Sequence, residues 1–190
     1  MKFSLPARIP SLYFFTVADW KEKSSDILRQ ITATFPGDKP IVIRSSAINE
    51  DTLDSSLAGK YKSILHVSTE SESVVTATIE AIVKSYENGG QERFDEHEIL
   101  VQEEVQDVVM SGVMFTADVN SGAPYIIINY DDATGATDTV TSGSGQALKI
   151  FHYCKHATTA PLNERLCKLV EVARLLENIT QNNALDIEFA

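Results

Sequence analysis

The chain has 190 residues, 43% of them hydrophobic, and a formal net charge of −11. That length and composition fit one globular domain or two small lobes, and no apolar run approaches the roughly 18 residues that cross a membrane. The acidic balance opposes a phosphate backbone and so argues against nucleic-acid binding, although a local cluster of positive charge and backbone N–H groups can still hold a small anion.

Residues 1–23 read as irregular, with an apolar patch over Leu12–Val17 and the only tryptophan, Trp20. Pro6, Arg8 and Pro10 interrupt this stretch and no small-residue cleavage site follows, which argues against a signal peptide and for a cytoplasmic protein. Ser24, Ser25 and Asp26 are capping residues, and Ile27, Leu28, Ile31 and Phe35 recur behind them at helical spacing. Pro36-Gly37-Asp38 ends that helix. Ile41-Val42-Ile43 predicts a short β-branched strand that runs into Arg44-Ser45-Ser46. A polar loop follows to about Lys62, then a strand over Ile64–Val67. Residues 72–87 predict a helix with Val75, Ile79, Ile82, Val83 and Tyr86 on one side, closed by Asn88-Gly89-Gly90. Further strands are expected over Ile99–Val105, Val113–Thr116 and Tyr125–Asn129, with a turn at Asn120-Ser121-Gly122. The stretch from Asp131 to Gln146 is a loop rich in Asp, Thr, Gly and Ser. A last amphipathic helix spans about Asn163–Ile179, and the chain closes on Leu185-Asp186-Ile187-Glu188-Phe189-Ala190. Strands and helices mix without strict βαβ alternation, which predicts an α+β fold of mostly antiparallel sheets with flanking helices.

Four segments are candidates for chemistry. Arg44, placed just past a strand end, offers a fork of donors suited to phosphate oxygens, with two serines beside it and the permissive Ala58-Gly59-Lys60 further on. The alternative is an arginine paired with Glu50 or Asp51. In the final strand, alternation puts Asp186 and Glu188 on one face, about 7 Å apart, with Leu185, Ile187 and Phe189 on the other. Two like charges so placed fit a magnesium ion held to phosphates, or else a solvated strand face. The Gln102-Glu103-Glu104 end of the Ile99–Val105 strand offers backbone groups to an adenine edge, or is an ordinary strand end. The Asp131–Gly145 loop is either a phosphate cradle or a mobile surface loop, and its aspartates oppose a bare phosphate. Cys154 and Cys167 form no C-x-x-C pair and read as free thiols, and the four histidines lack zinc-site spacing.

Taken together and in order, these segments resemble the nucleotide-binding domain of phosphoenolpyruvate synthase and pyruvate phosphate dikinase. The resemblance runs through Arg44-Ser45-Ser46-Ala47 with Glu50-Asp51, Ser56 and Ala58-Gly59, then Val101–Val105, Ser111–Asp118 with Ser121-Gly122, and Asp186-Ile187-Glu188-Phe189. It covers roughly residues 41–190 and implies an ATP-grasp fold, in which two α+β lobes clamp Mg-ATP. By this resemblance Arg44 binds ATP phosphates, Gly59, Lys60, Tyr61 and Ser63 belong to a flap over them, and Gln102, Glu103, Glu104 and Val105 line the adenine. Glu188, with Asp186, binds Mg2+, and Asp138 stands in for a glutamate of the family. Arg44 and Glu188 are the implied catalytic residues.

The resemblance also implies a kinase acting as part of a larger protein. Phosphate would pass from ATP to a histidine on a separate domain, and from there to pyruvate in a third. The alternatives are a non-catalytic nucleotide-binding or regulatory module, or a related kinase with a glucan or antibiotic acceptor. The family's glycine-rich, lysine-bearing segment and its Q-x-R strand have no counterpart, and Val119 replaces its proline. The expectation is therefore an ATP-grasp domain over 41–190, incomplete at both ends and inactive alone, with residues 1–40 a segment and helix packed on it.

Overall fold

A computed structural model describes residues 6–37, 39–47, 51–52, 55–56, 62–88, 93–135 and 148–190. The chain divides into two compact units, Ile9–Val105 and Gln106–Ala190, the second including the described residues up to Arg8. The architecture is α+β, with two antiparallel four-stranded sheets and three α-helices among the described residues.

In the first unit, strand β1 (Leu12–Thr16) leads directly into helix α1 (Val17–Thr34). The sequence predicts an irregular segment here and a helix from near Ser24. The earlier start comes from Thr16, whose hydroxyl accepts the Asp19 N–H at 3.0 Å while the Asp19 carboxylate accepts the Thr16 N–H. This reciprocal pair satisfies donors that a helix start leaves open. The Ser24 signal is real but marks a kink, since Lys23 leaves helical geometry at φ −134°. Trp20 is buried and donates to Glu80 at 2.7 Å.

Strand β2 (Ile41–Ser46) is followed by the two-residue strands β3 (Asp51–Thr52) and β4 (Ser55–Ser56), then β5 (Ser63–Val67). Helix α2 (Glu72–Asn88) and strand β6 (Glu98–Glu103) complete the unit, with a 3-10 turn at Phe94–Glu96 between them. Gly89 and Gly90, expected to close α2, lie outside the described residues. The sheet order is β1-β6-β2-β5. Ile41, Ile43, Ile99 and Val101 pack with Ile27 and Ile31 of α1 and Ile79 and Ile82 of α2 in one core. Each fully buried aliphatic side chain contributes about 1.5–3 kcal/mol relative to exposure.

In the second unit, β7 (Ser111–Phe115), β8 (Tyr125–Asp131), β9 (Lys149–Cys154) and β10 (Asp186–Phe189) form a sheet of order β10-β7-β8-β9, with helix α3 (Glu164–Thr180) supplying the rest of the core. Local sequence predicts no strand at β9. Its buried Tyr153 is flanked by the exposed His152 and half-buried Cys154, so its pattern is weak, and its pairing with β8 identifies it. Asn163 caps α3 by accepting the N–H groups of Arg165 and Leu166 at 2.9 and 3.2 Å.

Candidate functional site

The register of the first sheet decides what surrounds Arg44. β2 runs on to Ser46, so Arg44 sits within the strand and not just past its end. The extension holds because the Ser45 N–H reaches the Lys62 carbonyl at 3.1 Å and the Ser46 N–H reaches the Tyr86 hydroxyl at 2.8 Å. Arg44 opposes Ser63 on one side and Leu100 on the other, and Leu100 in turn opposes Phe14. In the next row, Val42 opposes Gln102, and Gln102 opposes Leu12. Opposed residues of an antiparallel pair share a face. Arg44, Ser63 and Gln102 therefore stand on the face turned away from the two helices, with Arg44 and Gln102 diagonal neighbours about 7–8 Å apart. Leu12, Phe14, Val42 and Leu100 make the apolar floor around them. A guanidinium and a primary amide over apolar side chains suit an anionic ligand that also carries a flat ring.

The segment beyond β6 is more committed than its sequence suggests. The Glu103 N–H donates to the Ser11 carbonyl and the Glu104 N–H to the Pro40 carbonyl, both at 3.1 Å. The Glu103 carboxylate faces Lys39 at 3.4 Å. The Glu104 side chain is only 8% exposed and turns back to His66, taking its backbone N–H and its Nδ1, each at 2.7 Å. His66 is left-handed at φ +57°, at the irregularity where β5 spends one extra residue against β2. Glu104 thus holds a bulge, a structural task that the run of acidic residues did not reveal. Val105, 38% exposed, ends the unit.

In the second unit, β10 pairs with β7 so that Asp186 opposes Phe115 and Glu188 opposes Val113. Ile187 and Phe189 pack against the core, while Asp186 and Glu188 share the exposed face. Leu185 and Thr116 continue this register by one step. The Thr116 N–H donates to the Leu185 carbonyl at 2.9 Å, and the Leu185 N–H donates to the Thr116 hydroxyl at 2.8 Å. Among the described residues, no three His, Cys, Asp or Glu side chains converge on one point. The Asp186–Glu188 pair is therefore a two-carboxylate set of hard oxygen donors.

The start of the loop after β8 is anchored. The buried Asp131 carboxylate accepts the N–H groups of Ala133 and Thr134 at 2.8 and 3.0 Å and the Thr134 hydroxyl at 2.6 Å. Lys149 pairs with Asp132 at 2.7 Å, and that contact holds the lysine above its ordinary pKa. These two aspartates are thus occupied in shaping the loop base. Asp118 does similar work in the turn after β7, accepting the Ser121 hydroxyl at 2.6 Å and the Ser121 N–H at 2.8 Å. Those bonds hold its carboxyl below the usual range. Gly59, Lys60, Tyr61 and Asp138 lie outside the described residues.

No helix among the described residues is long and apolar enough to cross a membrane. Comparison with curated proteins gave no match. The family model "Pyruvate phosphate dikinase, AMP/ATP-binding domain" matches residues 17–147, more than half of the chain and a span that contains Arg44 and Gln102. The chain therefore belongs to the pyruvate phosphate dikinase family, as an AMP/ATP-binding domain.

Proposed function

We propose that this domain binds Mg-ATP and serves a phosphotransferase of the phosphoenolpyruvate synthase type, in which the phosphoryl group passes to a histidine on a separate domain. The observation that carries the reading is the match over residues 17–147, which includes both Arg44 and Gln102, neighbours on one sheet face. Arg44 takes the phosphate role, because a planar fork of donors meets phosphate oxygens in pairs. The Gln102–Val105 segment takes the adenine role. With the N–H groups of Glu103 and Glu104 already bonded, base recognition falls to the Gln102 amide, the segment's carbonyls and the Val105 N–H.

Asp186 and Glu188 fit Mg2+, which typically takes one or two carboxylates and completes its shell with water and phosphate oxygens. When bound, the ion supplies charge neutralisation at the phosphates. The chain's own residues orient the nucleotide and hold the two carboxylates side by side. These two carboxylates lie beyond the matched span, so their role rests on their placement and on the local Asp-Ile-Glu-Phe pattern. The flap role of Gly59–Ser63 and the role of Asp138 rest on sequence resemblance alone.

Calorimetry of the 190-residue chain with a non-hydrolysable ATP analogue and Mg2+ tests the reading. Arg44→Ala is expected to weaken binding about 10- to 100-fold, the loss of charge-assisted hydrogen bonds. Glu188→Ala is expected to remove the Mg2+ dependence of binding. Unchanged affinity in both variants overturns the assignment. Nucleotide binding by a longer form of the protein without ATP-to-AMP turnover would favour the non-catalytic alternative.

A further inference from the structure

The carboxylates at 186 and 188 are useful only if β10 is in the right register. Side chains alternate along a strand, so a slip of one residue would send Asp186 and Glu188 toward the core and bring Ile187 and Phe189 out. β10 has four residues and, among the described residues, lies at the edge of its sheet and pairs only with β7. Burial of Ile187 and Phe189 disfavours that slip, and the bonds that lead the chain into β10 add to the same preference.

We propose that Thr116 is a positioning residue that locks the register of β10 and thereby places the Asp186–Glu188 pair for a divalent cation. The cation role rests on the Mg-ATP reading above, whereas the lock itself rests on geometry. Thr116 is fully buried although polar. At this residue β7 leaves the ladder for the Asp118 turn, where the Asp118 N–H bonds the Ala123 carbonyl. The Thr116 hydroxyl takes over as acceptor for the Leu185 N–H at 2.8 Å, while the Thr116 N–H bonds the Leu185 carbonyl at 2.9 Å. Both bonds are satisfied only when Leu185 stands opposite Thr116, which is the register that puts Asp186 opposite Phe115. A slipped strand would leave the buried hydroxyl without this donor, at a cost that a four-residue ladder cannot offset elsewhere.

A second clamp acts just before it. The Lys155 ammonium pairs with Glu177 of α3 and donates to the Asn183 carbonyl at 3.2 Å, with Lys155 and Glu177 both mostly buried. The Asn182 side chain accepts the Ala184 N–H at 3.0 Å, shaping the turn between these two anchors. Bonds at three successive residues, Asn183, Ala184 and Leu185, thus deliver the chain to β10 in one phase. They act on the cation ligands as supporting groups commonly do, by fixing orientation and not by contact.

The test compares Thr116→Val, which keeps shape and removes the hydroxyl, with Thr116→Ser, which restores it. Mn2+ titrated in the presence of ADP, followed by electron paramagnetic resonance well below the unfolding temperature, reports the cation site. Amide hydrogen exchange followed by NMR reports β10. Thr116→Val is expected to weaken Mn2+ binding about tenfold and to speed exchange at Leu185 and Ile187, whereas Thr116→Ser stays within about threefold of wild type. Wild-type affinity and wild-type exchange in Thr116→Val overturn the proposal. If the wild type and Glu188→Gln bind Mn2+ equally poorly, the cation reading fails. Exchange then decides the lock alone: protection retained in Thr116→Val overturns it, and protection lost upholds it. Should Thr116→Val not fold, Thr116→Ala removes the same hydroxyl without adding bulk, and unaltered β10 exchange and Mn2+ affinity in that variant overturn the proposal equally.

Discussion

Gly112 is the position where adding a single carbon should do most damage to the second unit. A Cβ built there would lie 2.1 Å from the Asn129 carbonyl oxygen and 2.9 Å from the Tyr130 Cα. Both obstacles are backbone of β8, the neighbouring strand, so no side chain can swing aside to make room. Restoring even the closest ordinary contact, about 3.4 Å, requires β7 and β8 to part by about 1.3 Å, which stretches ladder bonds near 2.9 Å to about 4.2 Å, beyond hydrogen-bonding range. Overpacking costs about 1–3 kcal/mol, and losing one or two ladder bonds adds about 0.5–1.5 kcal/mol each. Gly112→Ala should therefore destabilise the second unit by about 3–5 kcal/mol. In urea, with a slope near 2 kcal/mol/M, the midpoint followed by far-UV circular dichroism should fall by about 2 M. Trp20 belongs to the first unit, so its fluorescence reports that unit's transition as an internal control. A Gly112→Ala midpoint within about 0.25 M of wild type would falsify the close approach of β7 and β8.

Other perturbations separate binding from folding. Arg44→Lys keeps the charge but not the planar fork, so its nucleotide affinity by calorimetry should fall between wild type and Arg44→Ala. Glu104→Ala strips two acceptors from His66, and should cost about 1–3 kcal/mol of stability while changing nucleotide affinity less than about threefold. A large affinity loss without destabilisation would instead put the Glu104 carboxylate in the nucleotide site. Thr16→Ala removes the helix cap of α1 and should lower stability by about 0.5–2 kcal/mol in the transition seen by Trp20 fluorescence. Asp118 is held below its ordinary pKa by the Ser121 hydroxyl and then the Ser121 N–H, and Asp19 by the Thr16 hydroxyl and then the Thr16 N–H. A carboxyl lowered on folding stabilises fully above its unfolded value of about 3.9 and loses that contribution as pH falls through the folded value. The thermal midpoint should therefore drop more steeply below about pH 4 in wild type than in Asp19→Asn/Asp118→Asn, and equal slopes would show that these turns do not contribute.

Much of this fold could be read from local pattern. Helix α2 and helix α3 follow apolar spacing strong enough that their bounds fall within a residue or so of expectation. The β-branched run at Ile41–Ile43 and the alternation of Asp186, Ile187, Glu188 and Phe189 announce strands for the same reason, because burial on one face imposes a period. Family membership was legible as well, since it rests on which residues recur in which order. Where two local signals competed, the reading failed. The Ser24-Ser25-Asp26 cluster has the composition of a helix start, yet the Thr16–Asp19 cap begins the helix at Val17, about two turns earlier. At Lys149–Cys154 the period was too faint to detect.

Local sequence carries the candidate groups: an arginine after a β-branched run, a polar end to the Ile99–Val105 strand, and two carboxylates two positions apart. Their neighbours come from the folded sheets. Strand pairing set Gln102 diagonal to Arg44, turned Glu104 inward to brace a bulge, tied Asp131 and Asp132 into the loop base, and put Thr116 opposite Leu185. The physical reason is that register between strands distant in sequence follows from hydrogen bonds and packing across the sheet. Local alternation tells which residues of β10 share a face, but not which residues of β7 they stand opposite.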